Sequence, residues 1–130
     1  MPFSYDIDPA RELARVTLSG SVTGYHVCDA HRAVASDSAW RPGYCRLWDY
    51  RGVTVLDFLP EHVRALVEAL QEPRCRALAS ASIVHRPAHE MLAENLALIW
   101  KTWPVHAFPD EEAALAWLRD QQRRAAHTGA

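Results

Sequence analysis

The run Tyr44-Cys45-Arg46-Leu47-Trp48-Asp49 constrains the fold more than any other part of the chain, because turn signals bound it on both sides: Pro42-Gly43 before and Arg51-Gly52 after. Aromatic and large apolar residues suit a pleated, mostly buried surface. The run therefore predicts a buried strand that ends at Asp49 and is followed by a short loop. It is the expected central strand. Two strands and a helix precede it; helix, strand, helix, strand, helix follow. Such alternation predicts one α/β domain, with a mixed, mostly parallel sheet of about five strands and about four helices in the order β-β-α-β-α-β-α-β-α.

Upstream, Phe3, Tyr5 and Ile7 alternate with Ser4, Asp6 and Asp8, and after Asp8-Pro9-Ala10-Arg11 a second alternation spans Leu13 to Leu18. This period of two predicts an antiparallel hairpin. Gly20 to Gly24 has the composition of a turn, with Thr23 as the cap of a helix running to about Ser36. Gly20-x-x-x-Gly24 lacks the spacing and the lysine of a phosphate-binding loop, so an ordinary turn is expected there. On the helix, Val27, Ala30 and Val34 form a stripe with Cys28, His31 and Ala35 beside it, which predicts the face turned to the sheet. His26 and His31 lie about 140° apart around that helix and cannot share a metal ion.

Downstream, Leu59-Pro60-Glu61 opens a helix with proline in its first turn and a carboxylate near the positive end of the dipole. Val63, Leu66, Val67 and Leu70 give its apolar stripe, and Glu72-Pro73 ends it. The next expected strand, Ala77 to Val84, carries the small residues Ala79, Ser80, Ala81 and Ser82. Because interiors are close-packed, neighbours such as Trp48 are expected to fill the space above them; the alternative is a pocket. In His85-Arg86-Pro87-Ala88-His89-Glu90 the two histidines have the spacing of a helical metal pair. Pro87 marks the first turn, however, and leaves His85 outside the helix, so no preformed metal site is expected.

The helix after Pro87 places Ala88, Leu92, Asn95, Leu96 and Ile99 on one arc, widened by Met91 and Leu98, with Trp100 opposite. That is more apolar surface than one sheet needs. The excess either covers neighbouring helices or meets another subunit, as in a homodimer. Val105 to Phe108 predicts a last strand, and Asp110 caps a final helix that docks Ala113, Ala114, Trp117 and Leu118. Arg119 to Ala130 has no apolar period. The expected domain is therefore 1–118, with 119–130 a flexible, dispensable polar tail.

Charge narrows the partners: 14 Lys and Arg against 16 Asp and Glu provide no cationic field to draw the chain onto nucleic acid or an anionic membrane. No window approaches the ~18 consecutive apolar residues of a membrane helix. The three cysteines, odd in number and set within expected strands and helices, suit reduced thiols in the cytoplasm better than a disulfide framework.

Three stretches carry a family likeness: Gly20-Ser21-Val22-Thr23 leading into the first helix, Leu47-Trp48-Asp49-Tyr50-Arg51-Gly52-Val53-Thr54 at the centre, and Phe108-Pro109-Asp110-Glu111-Glu112-Ala113-Ala114-Leu115-Ala116-Trp117-Leu118 at the end. In this order the chain resembles the SpoIIAA-like domains, relatives of the STAS family of anti-sigma-factor antagonists. The resemblance implies a single α/β domain without cofactor or enzymatic activity that acts by binding a protein partner. Well-understood members are switched by phosphorylation of a Ser or Thr just after an Asp at the head of the second helix. The matching residues here are Asp57 and Phe58. With Phe58 in place of the hydroxyl, the resemblance does not carry the phospho-switch over.

In parallel α/β sheets, ligands gather at the carboxyl ends of the strands, where Asp49, Arg51 and Gly52 would meet His85 and Arg86 if the two strands are neighbours. With Asp57 and Phe58, these are the candidate ligand-binding or partner-binding residues. Asp49 and His85 have the chemistry of a proton-transfer pair, but no nucleophile, oxyanion donor or metal set accompanies them, and no catalytic residue is assigned. The expectation is a non-enzymatic regulatory or protein-interaction module. The alternative is a carrier or sensor of a small apolar ligand. Filled space above Ser80 and Ser82 favours the first, and a cavity lined by Trp48, Leu92 or Leu96 favours the second.

Overall fold

β1 (Phe3–Asp8) and β2 (Leu13–Thr23) form the expected antiparallel hairpin, with Phe3 opposite Leu18 and Asp8 opposite Leu13. The computed structural model describes residues 2–128, the side chains of 95–99 excepted, so the expected placements of Asn95, Leu96, Leu98 and Ile99 lie outside the described residues. After the hairpin come α1 (Gly24–Ser36), β3 (Cys45–Asp57), α2 (Pro60–Leu70), a 3-10 turn at Pro73–Cys75, β4 (Ser80–Ile83), α3 (Pro87–Ile99), β5 (Val105–Phe108) and α4 (Glu111–His127). The sheet order is β1-β2-β3-β4-β5, parallel throughout except for the first pair, and β3 is its middle strand.

Side chains alternate across a strand, so β3 and β4 serve two cores at once. Cys45, Leu47, Ala79, Ala81 and Ile83 pack with Ala114 and Leu118 of α4 on one face. Trp48, with Val16 and Leu18 of β2, packs on the other face with Val27, Ala30 and Val34 of α1 and Leu66 of α2. Cys28, Cys45 and Cys75 are buried free thiols; burial pushes all three pKa values up, that of Cys45 to about 11. Among the described residues no helix is long and apolar enough to cross a membrane.

The expected fold is corrected in three places. β3 does not stop at Asp49, and Gly20 to Gly24 is not a turn: β2 and β3 stay paired as far as Thr23 opposite Asp57. The glycines mark bulges instead. The register shifts between Thr17 and Ser19 and again between Gly20 and Ser21, and Gly20 has φ +72°, a conformation that favours glycine. At Gly52 a Cβ would stand 3.2 Å from the Leu18 carbonyl oxygen, so the bulge needs the absent side chain.

Second, Trp100 does not lie opposite the apolar arc. The helix ends at Ile99, which frees Trp100 from the helical period, and its ring packs edge-on against Trp103 at 4.8 Å. Third, α4 does not fray at Leu118 but continues to His127. Gln122 Nε2 donates to the carbonyls of Arg11 and Glu12 at 3.0 and 3.3 Å, tying the polar half of the helix to the hairpin turn.

Candidate functional site

Arg46 is paired in register with Ser80, and Trp48 with Ser82, so two serines stand beside two of the largest side chains of the central strand. Their small size leaves a cavity of about 80 Å³ on the α1–α2 side of the sheet. Trp48, Tyr50, Ser80 and Ser82 form its floor, and His31 of α1 with Leu66, Val67 and Leu70 of α2 form one wall. Ala93, Trp100, Trp103 and Val105 close the opposite side. The expectation that neighbours fill the space above the serines is therefore corrected. Trp48 flanks the gap, but its ring is engaged with His31 at 4.4 Å and does not cover it. Leu92 is not among the lining residues, and the Leu96 side chain lies outside those described.

The walls carry polar atoms but no charge. Trp103 Nε1 donates to Ser80 Oγ at 3.2 Å, which leaves the serine proton free to donate onward. His31 Nδ1 and Trp100 Nε1 are buried and have no partner among the described residues. Burial first, and the charge of Arg46 second, hold the His31 pKa well below its usual value, so the imidazole is neutral. Burial likewise pushes the Tyr50 phenol up.

Arg46 is the register partner of Ser80 but does not itself line the cavity, and no local signal announced its burial. The alternation that turns Leu47 toward α4 turns residue 46 toward α1 and α2, and a strand buried on both faces leaves an inward arginine no route to water. Its relative exposure is 0%. Nη2 donates to the Cys75 carbonyl, and the guanidinium lies 4.5 Å above the Trp40 ring. Nε and Nη1 have no partner among the described residues.

The polar corner expected at the end of β3 is divided. Asp49 faces α4, where it accepts from the Arg51 backbone N–H at 3.0 Å, from Arg51 Nε and Nη2 at 2.9 and 2.7 Å, and from Arg15 Nη2 at 3.2 Å. Arg15 and Arg51 both also donate to Glu111 at the head of α4. Hydrogen bonds from Arg51 hold the Asp49 carboxyl below its ordinary pKa, and one from Arg15 does the same for Glu111. His85 is exposed, and among the described residues no hydrogen bond or ion pair joins it to Asp49. Arg86 Nη1 instead donates to the Thr54 carbonyl at 3.3 Å. Asp57 is exposed, and Phe58 sits between β3 and α2 with its ring edge-on to His62. The proton-transfer pair is not assembled. Arg15 and Glu111 were the unforeseen members of the corner, because a contact across 96 positions leaves no local signal.

Asp49 is 7% exposed, and its depressed pKa sets a pH window. A carboxylate whose folded pKa lies below the unfolded value of about 3.9 contributes stability above that value and loses it as pH falls through the folded pKa. Arg15 and Arg51 are 33% and 38% exposed, and solvent screening weakens their hold. Asp49→Asn is accordingly expected to cost about 1–2 kcal/mol at neutral pH, and its urea midpoint should fall less than that of the wild type between pH 5 and 3. Parallel acid titrations with equal slopes would show that the cluster contributes nothing.

The histidines divide by role. The backbone N–H groups of Thr23 and Leu59 donate to Nδ1 of His26 and His62, each at 2.9 Å, so both rings cap helix starts. Among the described residues no group of three or more His, Cys, Asp or Glu side chains converges on a metal position.

No family model matches the sequence, and no curated protein matches it. Solved structures do match in shape. An uncharacterized DUF3478-family protein from Shewanella loihica PV-4 is 12% identical; the match covers 89% of this chain and 93% of that one, with a TM-score of 0.63. The anti-sigma factor antagonist SpoIIAA in its unphosphorylated form is 13% identical; that match covers 90% of this chain and 97% of that one, with a TM-score of 0.53. At such identities the likeness concerns backbone architecture, and with the parallel order of β2 to β5 and the leading hairpin it makes this chain an α/β domain of SpoIIAA-like fold.

Proposed function

We propose that the protein is a non-enzymatic binding module that carries or senses a small, mainly apolar ligand in the cavity above Ser80 and Ser82. The observation that supports this is the cavity itself: native interiors fill such space, and this one is walled by aromatic rings with a few polar atoms among them. In the polar corner the charges of Asp49, Arg15, Arg51 and Glu111 are spent on one another. Ser82→Leu would place a side chain in the void. It is expected to raise the thermal midpoint modestly and to abolish the stabilisation that the low-molecular-weight fraction of the protein's own cells gives the wild type. If that fraction stabilises neither protein, the small-ligand function is wrong.

A protein-interaction function draws support from the shared fold, since the SpoIIAA structure is that of an anti-sigma factor antagonist. It also draws on Tyr25, Val55 and Leu59, which are exposed near the starts of α1 and α2 and the end of β3. The two functions are compatible. α1 and α2 wall the cavity, and Tyr25 packs edge-on against His62 where these helices begin, so occupancy of the cavity would be felt at that surface.

A further inference from the structure

Ser80 and Ser82 stand two positions apart on β4, so their hydroxyls leave the same face of the sheet, and both residues line the cavity. The bond from Trp103 Nε1 to Ser80 Oγ is the only side-chain hydrogen bond to either serine among the described residues. Two O–H donors are therefore available to whatever fills the void. Residues i and i+2 of a strand lie about 6.5–7 Å apart, and one oxygen placed about 2.8 Å from each hydroxyl nearly spans that distance. A small lean of the two side chains closes the rest.

The remaining walls call for an acceptor and refuse a charge. No carboxylate, guanidinium or ammonium group lines the cavity and His31 is held neutral, so an ion moved there would lose its hydration with no opposite charge to replace it. Trp100 and Trp103 line it as well, and an indole N–H donates only. No lining side chain is an acceptor only. Size sets the rest: a cavity of about 150 Å³ accommodates benzene, so one of about 80 Å³ takes about three or four heavy atoms, and a long acyl chain does not fit.

We propose that the ligand is a compact neutral carbonyl compound, a short ketone or aldehyde, whose oxygen accepts from Ser80 and Ser82 together while its carbon body lies against Trp48, Leu66 and Trp103. This rests on the small-ligand function above and narrows it. A carbonyl oxygen has two lone pairs and so meets both hydroxyls at once, and it brings no donor that the walls would have to satisfy. In a low-dielectric surrounding, away from competing water, those two hydrogen bonds are stronger than in solution. The apolar rings supply the rest of the contact.

Acetone, acetate and isobutene share one flat, three-armed shape and differ in carrying a neutral oxygen, a charge or neither. Each is titrated into the full chain and followed by the indole resonances of Trp48, Trp100 and Trp103. Acetone is expected to bind and acetate to stay in water. Ser82→Ala should weaken acetone about fivefold, the effect of one lost hydrogen bond, and leave isobutene within about twofold. Should that variant fail to fold, Ser82→Cys, whose thiol is a weak donor, is expected to show the same split. Acetone bound equally by the wild type and the variant, or acetate bound as tightly as acetone, overturns the carbonyl assignment and leaves the small-ligand function standing. Failure of acetone and isobutene alike, with the cell fraction still stabilising the wild type but not Ser82→Leu, likewise overturns only the carbonyl; if the cell fraction has no effect either, both fall.

Discussion

Leu118→Ala is expected to destabilise the protein by about 2–5 kcal/mol, the usual cost of emptying a buried leucine site. Leu118 is 2% exposed and fills the core between α4 and the strands that carry Leu47, Ala81 and Ile83. A chain stopped after Arg119 is the informative comparison. It loses the last two turns of α4 and the bonds from Gln122 to the Arg11 and Glu12 carbonyls, at a turn where Glu12 holds φ +51°. Those bonds are exposed, and the truncation should cost about 1 kcal/mol. Urea midpoints of the two variants check the order. A truncation costlier than Leu118→Ala would mean that the polar half of α4 is a principal support of the hairpin, whereas one with no cost would restore the boundary at 118.

The second large effect runs the other way. Arg46→Met is expected to stabilise the protein by about 1–3 kcal/mol, because replacing an uncompensated buried cation with an apolar side chain of similar length removes a desolvation penalty of several kcal/mol. Against that gain stand the bond to the Cys75 carbonyl and the contact with Trp40, the latter worth about 0.5–2 kcal/mol. Denaturant unfolding of the variant measures the sign. A loss of more than about 1 kcal/mol would instead identify Arg46 as the anchor of the Pro73–Cys75 turn.

How much of this was legible in the sequence depended on range. The alternation around Phe3, Tyr5 and Ile7, the proline at Pro60 and the cap at Asp110 are local signals, and each element they announce is present. Gly20 and Gly52 misled because glycine serves a bulge as readily as a turn, and only the partner strand shows which. The polar end of α4 had no apolar period because it is held by a side-chain amide reaching across 111 positions, not by burial. For the candidate site, the small residues of β4 correctly marked the place where space was in question, but whether Trp48 covered it depended on where His31 would draw its ring. Asp49 and His85 were expected near each other on strand adjacency alone. β3 and β4 are adjacent, yet Asp49 turns toward Glu111 while His85 lies out past the end of β4.

The central claim, that the cavity beside Ser80 and Ser82 holds a small molecule, is most directly tested by native mass spectrometry of the untagged protein from its own cells, beside Ser82→Leu prepared in the same way. The account predicts a wild-type species heavier than the chain by the mass of one small molecule, absent from the variant and lost from the wild type on acid denaturation. A wild-type spectrum showing only the bare chain mass, or an adduct that Ser82→Leu retains in full, would contradict it.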